Sequence, residues 1–318
     1  MKKRTRIALI VAAALILFGG ILLAVGLSFA EDSTLDSKLI RKEITIQESF
    51  DTIAIDTEDC DVKFAMLSGQ DDCMVEIRAY KNVKHTAAVE DGTLKIKMID
   101  KRRWIDYVGV FGMSEQMEMT VYLPVAEYNA LQVRTASGDI TLGQQPVFLE
   151  TQLRTNTGDI SCVTGVGGDL LDCMTSTGDI CIQNSTAKQI KLQSDTGDFQ
   201  MSVVAGDEIQ LKTDTGDVEA QNVNAQMFTC QTDTGDVELE QVQAAEYLKI
   251  FTNTGDVGVK DCDAGTVNIE TDTGDVSGNF LTPKWFQADS NTGDVQVPHS
   301  RDGGECRIQS DNGDIKIR

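Results

Sequence analysis

The chain has 318 residues and a formal net charge of −22; 41% of it is hydrophobic but only 6% is aromatic. Such a length holds two ordinary domains or one repeat array. The acidity excludes binding to nucleic acid or to anionic lipid headgroups, which need clustered Lys and Arg, and leaves cation binding, contact with basic surfaces, or plain solubility and repulsion between copies.

Lys2, Lys3, Arg4 and Arg6 form a basic head, and residues 7–30 then run 24 positions without a charge. A membrane-crossing helix needs about 20 apolar residues, whereas a cleaved signal peptide has an apolar stretch of about 7–15. Residues 7–30 therefore read as an uncleaved transmembrane signal anchor; Ser28-Phe29-Ala30 is the feature that would favour cleavage instead. Basic flanks stay on the cytoplasmic side, and the first charges after the helix are Glu31, Asp32 and Asp36. The expected arrangement is a cytoplasmic head (1–6), a single-pass anchor in the cell membrane, and an extracellular remainder. With the four basic groups of residues 1–30 set aside, residues 31–318 carry −26.

Residues 31–44 read as a linker. Residues 45–125 carry strand-like stretches at 75–80, 94–99 and 117–123, and 53–62 resembles a degraded repeat unit with an insertion. This part is expected to form irregular first coils or a small β-region joined to a regular array. From residue 126 on, Gly-Asp recurs with its glycine at 138, 158, 178, 197, 216, 235, 255, 274, 293 and 313, at intervals of 19 or 20. With that glycine as position zero, apolar residues fill −7 (Leu131, Ile190, Phe228), −5 (Val133, Leu192, Ile250), +2 (Ile140, Phe199, Val276) and +4 (Leu142, Met201, Val259). Alternation at period two in β-branched residues means strands with one buried face. A unit this short cannot bury its own face, but stacked units can. The fold class is all-β: a parallel β-solenoid of about ten regular coils over 126–318, right-handed by the usual crossover rule.

At the corner, glycine supplies backbone freedom, and Asp at +1 can accept backbone N–H groups. Thr or Ser at −3 and −1 are both expected to face inward. Tyr122-Leu123-Pro124, followed by Leu131-Gln132-Val133-Arg134-Thr135-Ala136-Ser137-Gly138-Asp139-Ile140 and by the Thr-x-Thr-Gly-Asp-Val units, resembles a bacterial family of β-strand-repeat, candidate adhesin proteins. The resemblance covers residues 45–318 and implies the solenoid fold. It also implies a membrane-anchored envelope protein, in some members linked to envelope stress, and it supplies no catalytic residues.

Several groups are candidates for chemistry. Asp195, Asp214, Asp233 and Asp272 at −2, with Asp198, Asp217, Asp236 and Asp275 at +1, would stack in rows of like charge. Corner capping is the preferred reading and Ca²⁺ sites the alternative. Cys173, Cys230, Cys306, Cys162 and Cys262 fall at core positions and Cys181 faces outward. No CxxC pair exists, which speaks against zinc, and a Cys60–Cys73 bridge stays open for an oxidising compartment. His85 and His299 are the only histidines, and no nucleophilic triad can be assigned. Departures from the repeat mark candidate binding patches: Trp104 and Tyr107 in the basic stretch 101–107, and Trp285 and Phe286 in 280–286, with packing as the alternative. The last unit ends at Arg318 without a cap, so its edge is expected to be open, blunted by Lys316 and Arg318, and available to a partner or a second copy.

The expected function is a non-enzymatic surface module, an adhesin or scaffold binding an envelope polymer or a membrane protein. An accessory or sensor protein in envelope stress is the alternative, and a carbohydrate-active β-helix enzyme is a distant third, since the repeats place almost no aromatic residue outward.

Overall fold

The computed structural model describes residues 39–67, 69, 72–81, 83–99, 115–143, 147–163, 166–300 and 302–318. The expected anchor at 7–30 and the stretch holding Trp104 and Tyr107 lie outside these residues. Among those described, no helix is long and apolar enough to cross a membrane.

The described chain is an all-β parallel solenoid of about nine turns. The N-terminal part supplies strands β1 (Ile40–Ile46), β2 (Thr52–Asp56), β3 (Asp61–Leu67), β4 (Cys73–Ala79), β5 (Lys84–Glu90), β6 (Thr93–Ile99) and β7 (Glu118–Pro124). The first repeats follow as β8 (Tyr128–Ser137), β9 (Ile140–Leu142), β10 (Phe148–Thr157), β11 (Ile160–Cys162) and β12 (Gly167–Met174). The regular coils are long bent strands: β13 (Ile180–Thr196), β14 (Phe199–Thr215), β15 (Val218–Thr234), β16 (Val237–Thr254) and β17 (Val257–Thr273). The C-terminal part holds β18 (Val276–Phe280), β19 (Lys284–Ser290), β20 (Val295–Gln296), β21 (Gly304–Asn312) and β22 (Ile315–Ile317).

One coil explains the rest. In β14, Phe199 and Met201 point inward, the chain turns at Val203, Val204 points inward, and after a second bend Ile209, Leu211 and Thr213 do so. Each residue pairs with its equivalent one repeat on, Phe199 with Val218 and Ile209 with Phe228. Equivalent side chains thus stack, and a single core cluster runs from Ile46 to Ile317. Where the repeat lengthens by one residue, the extra residue sits as a bulge opposite Ala225 and Met227, at the second bend, so the inward pattern is unchanged.

At both ends the spatial order departs from the chain order. At the first end, β2 lies between β6 and β8, and β3 between β7 and β9. The outer coil β6–β7 is then covered by antiparallel strands: β5 on β6, β4 on β7, and β1 on β4. The described residues of 45–125 therefore form both irregular coils and an antiparallel cap over the same core. At the other end, β21 lies between β17 and β19, and β22 between β18 and β20. This corrects the expectation that the unit ending at Arg318 is the open one. The last unit is sandwiched, and β19–β20 forms the outermost coil.

Candidate functional site

The repeated corner is the most elaborate feature of the surface, and its hydroxyl at −3 and its aspartate at +1 each link two coils. At Gly216, the Asp217 N–H donates to Asp198 Oδ1 at 2.8 Å. The Thr213 hydroxyl donates to the Gly197 carbonyl at 3.2 Å. Towards the next coil, the Gly216 N–H donates to the Thr234 carbonyl and the Val218 N–H to the Asp236 carbonyl. Glycine is required here by close approach: a Cβ on Gly216, at φ +156°, would lie 2.0 Å from the Gly197 carbonyl oxygen.

The aspartate ladder runs without a gap through Asp61, Asp139, Asp159, Asp179, Asp198, Asp217, Asp236, Asp256, Asp275, Asp314 and Asp294, and from Asp139 on each N–H meets the carboxylate of the coil before it in space. Asp at +1 therefore staples neighbouring coils rather than capping its own bend. These charge-assisted bonds offset the mutual repulsion of the row. The hydroxyl at −3 is buried as expected in every coil but the outermost, where Ser290 is half-buried. The one at −1 is exposed, as at Thr196 and Thr215. This is a correction: the tight turn breaks the alternation, so −2 and −1 both face solvent.

Asp195, Asp214, Asp233 and Asp272 at −2, and Asp198, Asp217, Asp236 and Asp275 at +1, are exposed. Among the described residues no three His, Cys, Asp or Glu groups converge in a way that could hold a metal. Burial, with the neighbouring Asp236, Asp256 and Glu219 carboxylates, holds Glu238 above the usual carboxylate range. Burial likewise raises Asp61, the first member of the ladder. A shallow groove of about 470 Å³ follows the row of +3 residues between Ser161 and Glu219, floored by corner aspartates.

The cysteines are free: Cys60 and Cys73 form no bridge, seven of the eight are buried, and Cys181 is partly exposed. Burial pushes the thiols of Cys73, Cys230 and Cys306 up to about 12, which keeps these three protonated and unreactive at neutral pH. His299 lies exposed beside Pro298 at the C-terminal end, while both ring nitrogens of His85 are shielded from solvent. No described group of residues has the form of a nucleophile, base and orienting acid.

Trp285 and Phe286 lie on the outermost coil, Trp285 exposed and Phe286 packed against Phe280 at 6.2 Å. Between them and the array sits a feature that the sequence reading missed. Lys284 is buried, with its ammonium donating to Asp263 Oδ1, to the Ala264 carbonyl (2.6 Å) and to the Thr282 hydroxyl (3.0 Å). A signal existed: Lys284, Gly304 and Gly265 all stand nine residues before a corner glycine. Stacked glycines at that position leave space for the lysine stem along a groove of about 470 Å³.

The fold and corner define a class: a parallel β-solenoid whose turns are stapled by Thr-x-x-Gly-Asp corners. The chain belongs to the Toastrack DUF4097 family, whose model matches residues 50–222 and 205–318. Among solved structures, it is similar to a candidate adhesin from Parabacteroides distasonis (14% identity, 89% of this chain and 98% of that one, TM-score 0.53). It is also similar to a candidate adhesin from Bacteroides fragilis (16% identity, 89% and 99%, TM-score 0.42) and to a candidate lipid-binding protein from Parabacteroides distasonis (13% identity, 89% and 98%, TM-score 0.46). No curated protein matches the chain significantly.

Proposed function

We propose that the protein is a non-enzymatic surface scaffold, held by a single membrane span at residues 7–30 with the solenoid outside the cell, where it binds an envelope polymer or a membrane protein. The observation that carries this reading is the use of the repeated acids. Every corner carboxylate except that of Asp294 on the outermost coil accepts a backbone N–H from a neighbouring coil. A catalytic pair of carboxylates would be a local departure from the repeat, and these acids follow it. Stacked coils about 4.8 Å apart with one continuous core make a stiff spacer. That suits a module that must hold a binding surface away from a bilayer. The uncharged stretch 7–30 behind a basic head supports the anchor. The adhesin description of the Parabacteroides distasonis protein of the same fold is in keeping with the reading.

The test is made on cells producing the full chain. Externally added protease is expected to digest the solenoid only after denaturation but to reach an epitope fused at Arg318 on intact cells. In-cell crosslinking is expected to retain either a cell-wall polymer or a membrane protein. An epitope reachable only after lysis would refute the outward orientation. Turnover of envelope glycans by the purified chain would refute the non-enzymatic reading.

A further inference from the structure

The two ends of the solenoid are finished differently. At the first end, antiparallel strands cover the outer coil, and Leu94, Ile96, Met119 and Val121 are fully buried. At the other, β19 pairs only with β21 and β20 only with β22, so among the described residues nothing pairs with their outer edge. The edge leaves hydrogen-bonding groups of the backbone open to another strand.

Two further observations show that this end is unfinished rather than blunted. First, positions that are buried in the interior coils are open here. At +2, Val276 and Ile315 are fully buried, but Val295 is 40% exposed. At −7 and −5, Phe286 and Ala288 are only partly buried where Cys306 and Ile308 are fully so, and Trp285 and Leu281 of the same coil are exposed. A cleft of about 610 Å³ runs between Val295, Val297, Pro298, His299 and Ile317, into the end of the core. Second, the aspartate ladder stops with one acceptor unused. Asp294 donates its N–H to Asp314, yet its own carboxylate receives no backbone N–H, unlike that of every other corner aspartate.

We propose that the outer edge of β19–β20 pairs antiparallel with the same edge of a second copy, giving a tail-to-tail dimer about a two-fold axis. Charge selects this occupant and this geometry. Copies side by side would oppose their aspartate rows, within a region of net charge −26. Residues 280–300 carry only Asp289, Asp294 and Lys284, a net charge of −1, so like surfaces can meet here. At the first end the free edges among the described residues belong to β1 and β5, antiparallel cap strands that do not repeat the coil, so a head-to-tail contact would not continue the stack. A two-fold contact closes on itself, and each copy brings the same apolar positions the other lacks. Pro283 and Pro298 bracket the edge and confine pairing to the segment between them.

The inference does not depend on the membrane orientation or on the envelope ligand, and its test uses the full chain purified in detergent. Sedimentation is expected to give a dimer, and a photo-crosslinking residue in place of Trp285 a covalent dimer, whereas one in place of Gln210 on the flank gives none. In the double variant Trp285→Asp, Val295→Asp both side chains are at least 40% exposed, so melting measured at a concentration below the dissociation constant, where dimerisation adds no stability, is expected to be little changed while that constant rises at least tenfold. A monomer at about 100 µM, roughly a hundred times a micromolar dissociation constant, would overturn the proposal. So would a dimer that survives the double variant, which would place the contact in the anchor, or a Trp285 crosslink only to other proteins.

Discussion

The coil turning at Gly216 and the coil turning at Gly293 share the sequence Thr-Gly-Asp-Val, yet one is sealed on both sides and the other is half open. In the interior coil Val218 is fully buried; its equivalent Val295 is not. The comparison teaches that the repeat specifies the corner while position in the stack decides burial. Energetics should follow: a change that pushes two coils apart should matter most where both neighbours are fixed.

The largest effect is expected at the corner glycines. In Gly235→Ala the new Cβ would sit 2.0 Å from the Gly216 carbonyl oxygen, between two coils that cannot separate. A loss of about 3 kcal/mol and a melting temperature lower by on the order of 10 °C should appear in thermal circular dichroism. Gly293→Ala meets a similar clash with the Gly313 carbonyl, but its coil has nothing outside it among the described residues and can shift. Half the loss or less is expected there, and equal losses would show that the outer coil is as constrained as the inner ones.

Next comes the lysine that ties the outer coil down. Lys284→Met leaves Asp263 without its buried cation, but Asp263 keeps part of its exposure, which discounts the usual penalty for breaking a buried pair to about 2 kcal/mol. The melting of the double variant Lys284→Met, Asp263→Leu should recover most of that loss. No recovery would mean that the Ala264 and Thr282 contacts carry the interaction.

The ladder itself offers a finer comparison. Asp217→Ala removes the acceptor for the Asp236 N–H and should lower stability by about 1 kcal/mol, with Asp217→Asn keeping most of it. Asp294→Ala removes a carboxylate that accepts no backbone N–H, and a change within about 0.5 kcal/mol is expected. Chemical denaturation of the three variants measures the difference directly. A loss at Asp294 matching that at Asp217 would imply that the last carboxylate is already occupied, as in a dimer that uses it.

Much of this was legible in the sequence because a period-two pattern repeated at 19 or 20 residues leaves little freedom in register. Positions −7, −5, +2 and +4 are core positions, as at Ile190, Leu192, Ile180 and Ile182. Thr151 marks the pattern's limit: it stands at −7, fully buried, with no partner for its hydroxyl. What was not legible is what the repeat does not encode. Interleaving of the end coils depends on contacts between equivalents two repeats apart, and β21 satisfies the same pattern beside β17 as beside β19. The inward reading of −1 failed because alternation stops at the turn, and Lys284 was hidden because its partners lie 20 and 21 residues earlier.

The smallest effect tests backbone rather than side-chain fit. Six residues after the corner glycines, Asn184, Val203, Asn222, Gln241 and Asp261 all turn the chain at φ between 48° and 56°. Asn and Asp tolerate that left-handed conformation, whereas a β-branched residue is strained in it. Val203 is more than half exposed, so its side chain gains little from packing. Val203→Asn should therefore raise stability by about 0.5–1 kcal/mol, with the reverse change, Asn222→Val, lowering it by a similar amount in the next coil. If Val203→Asn were neutral while Asn222→Val destabilised, the Asn222 side chain rather than backbone strain would set the bend. Opposite and equal shifts would show that the bend is fixed by the stack and that each residue merely fits it well or badly.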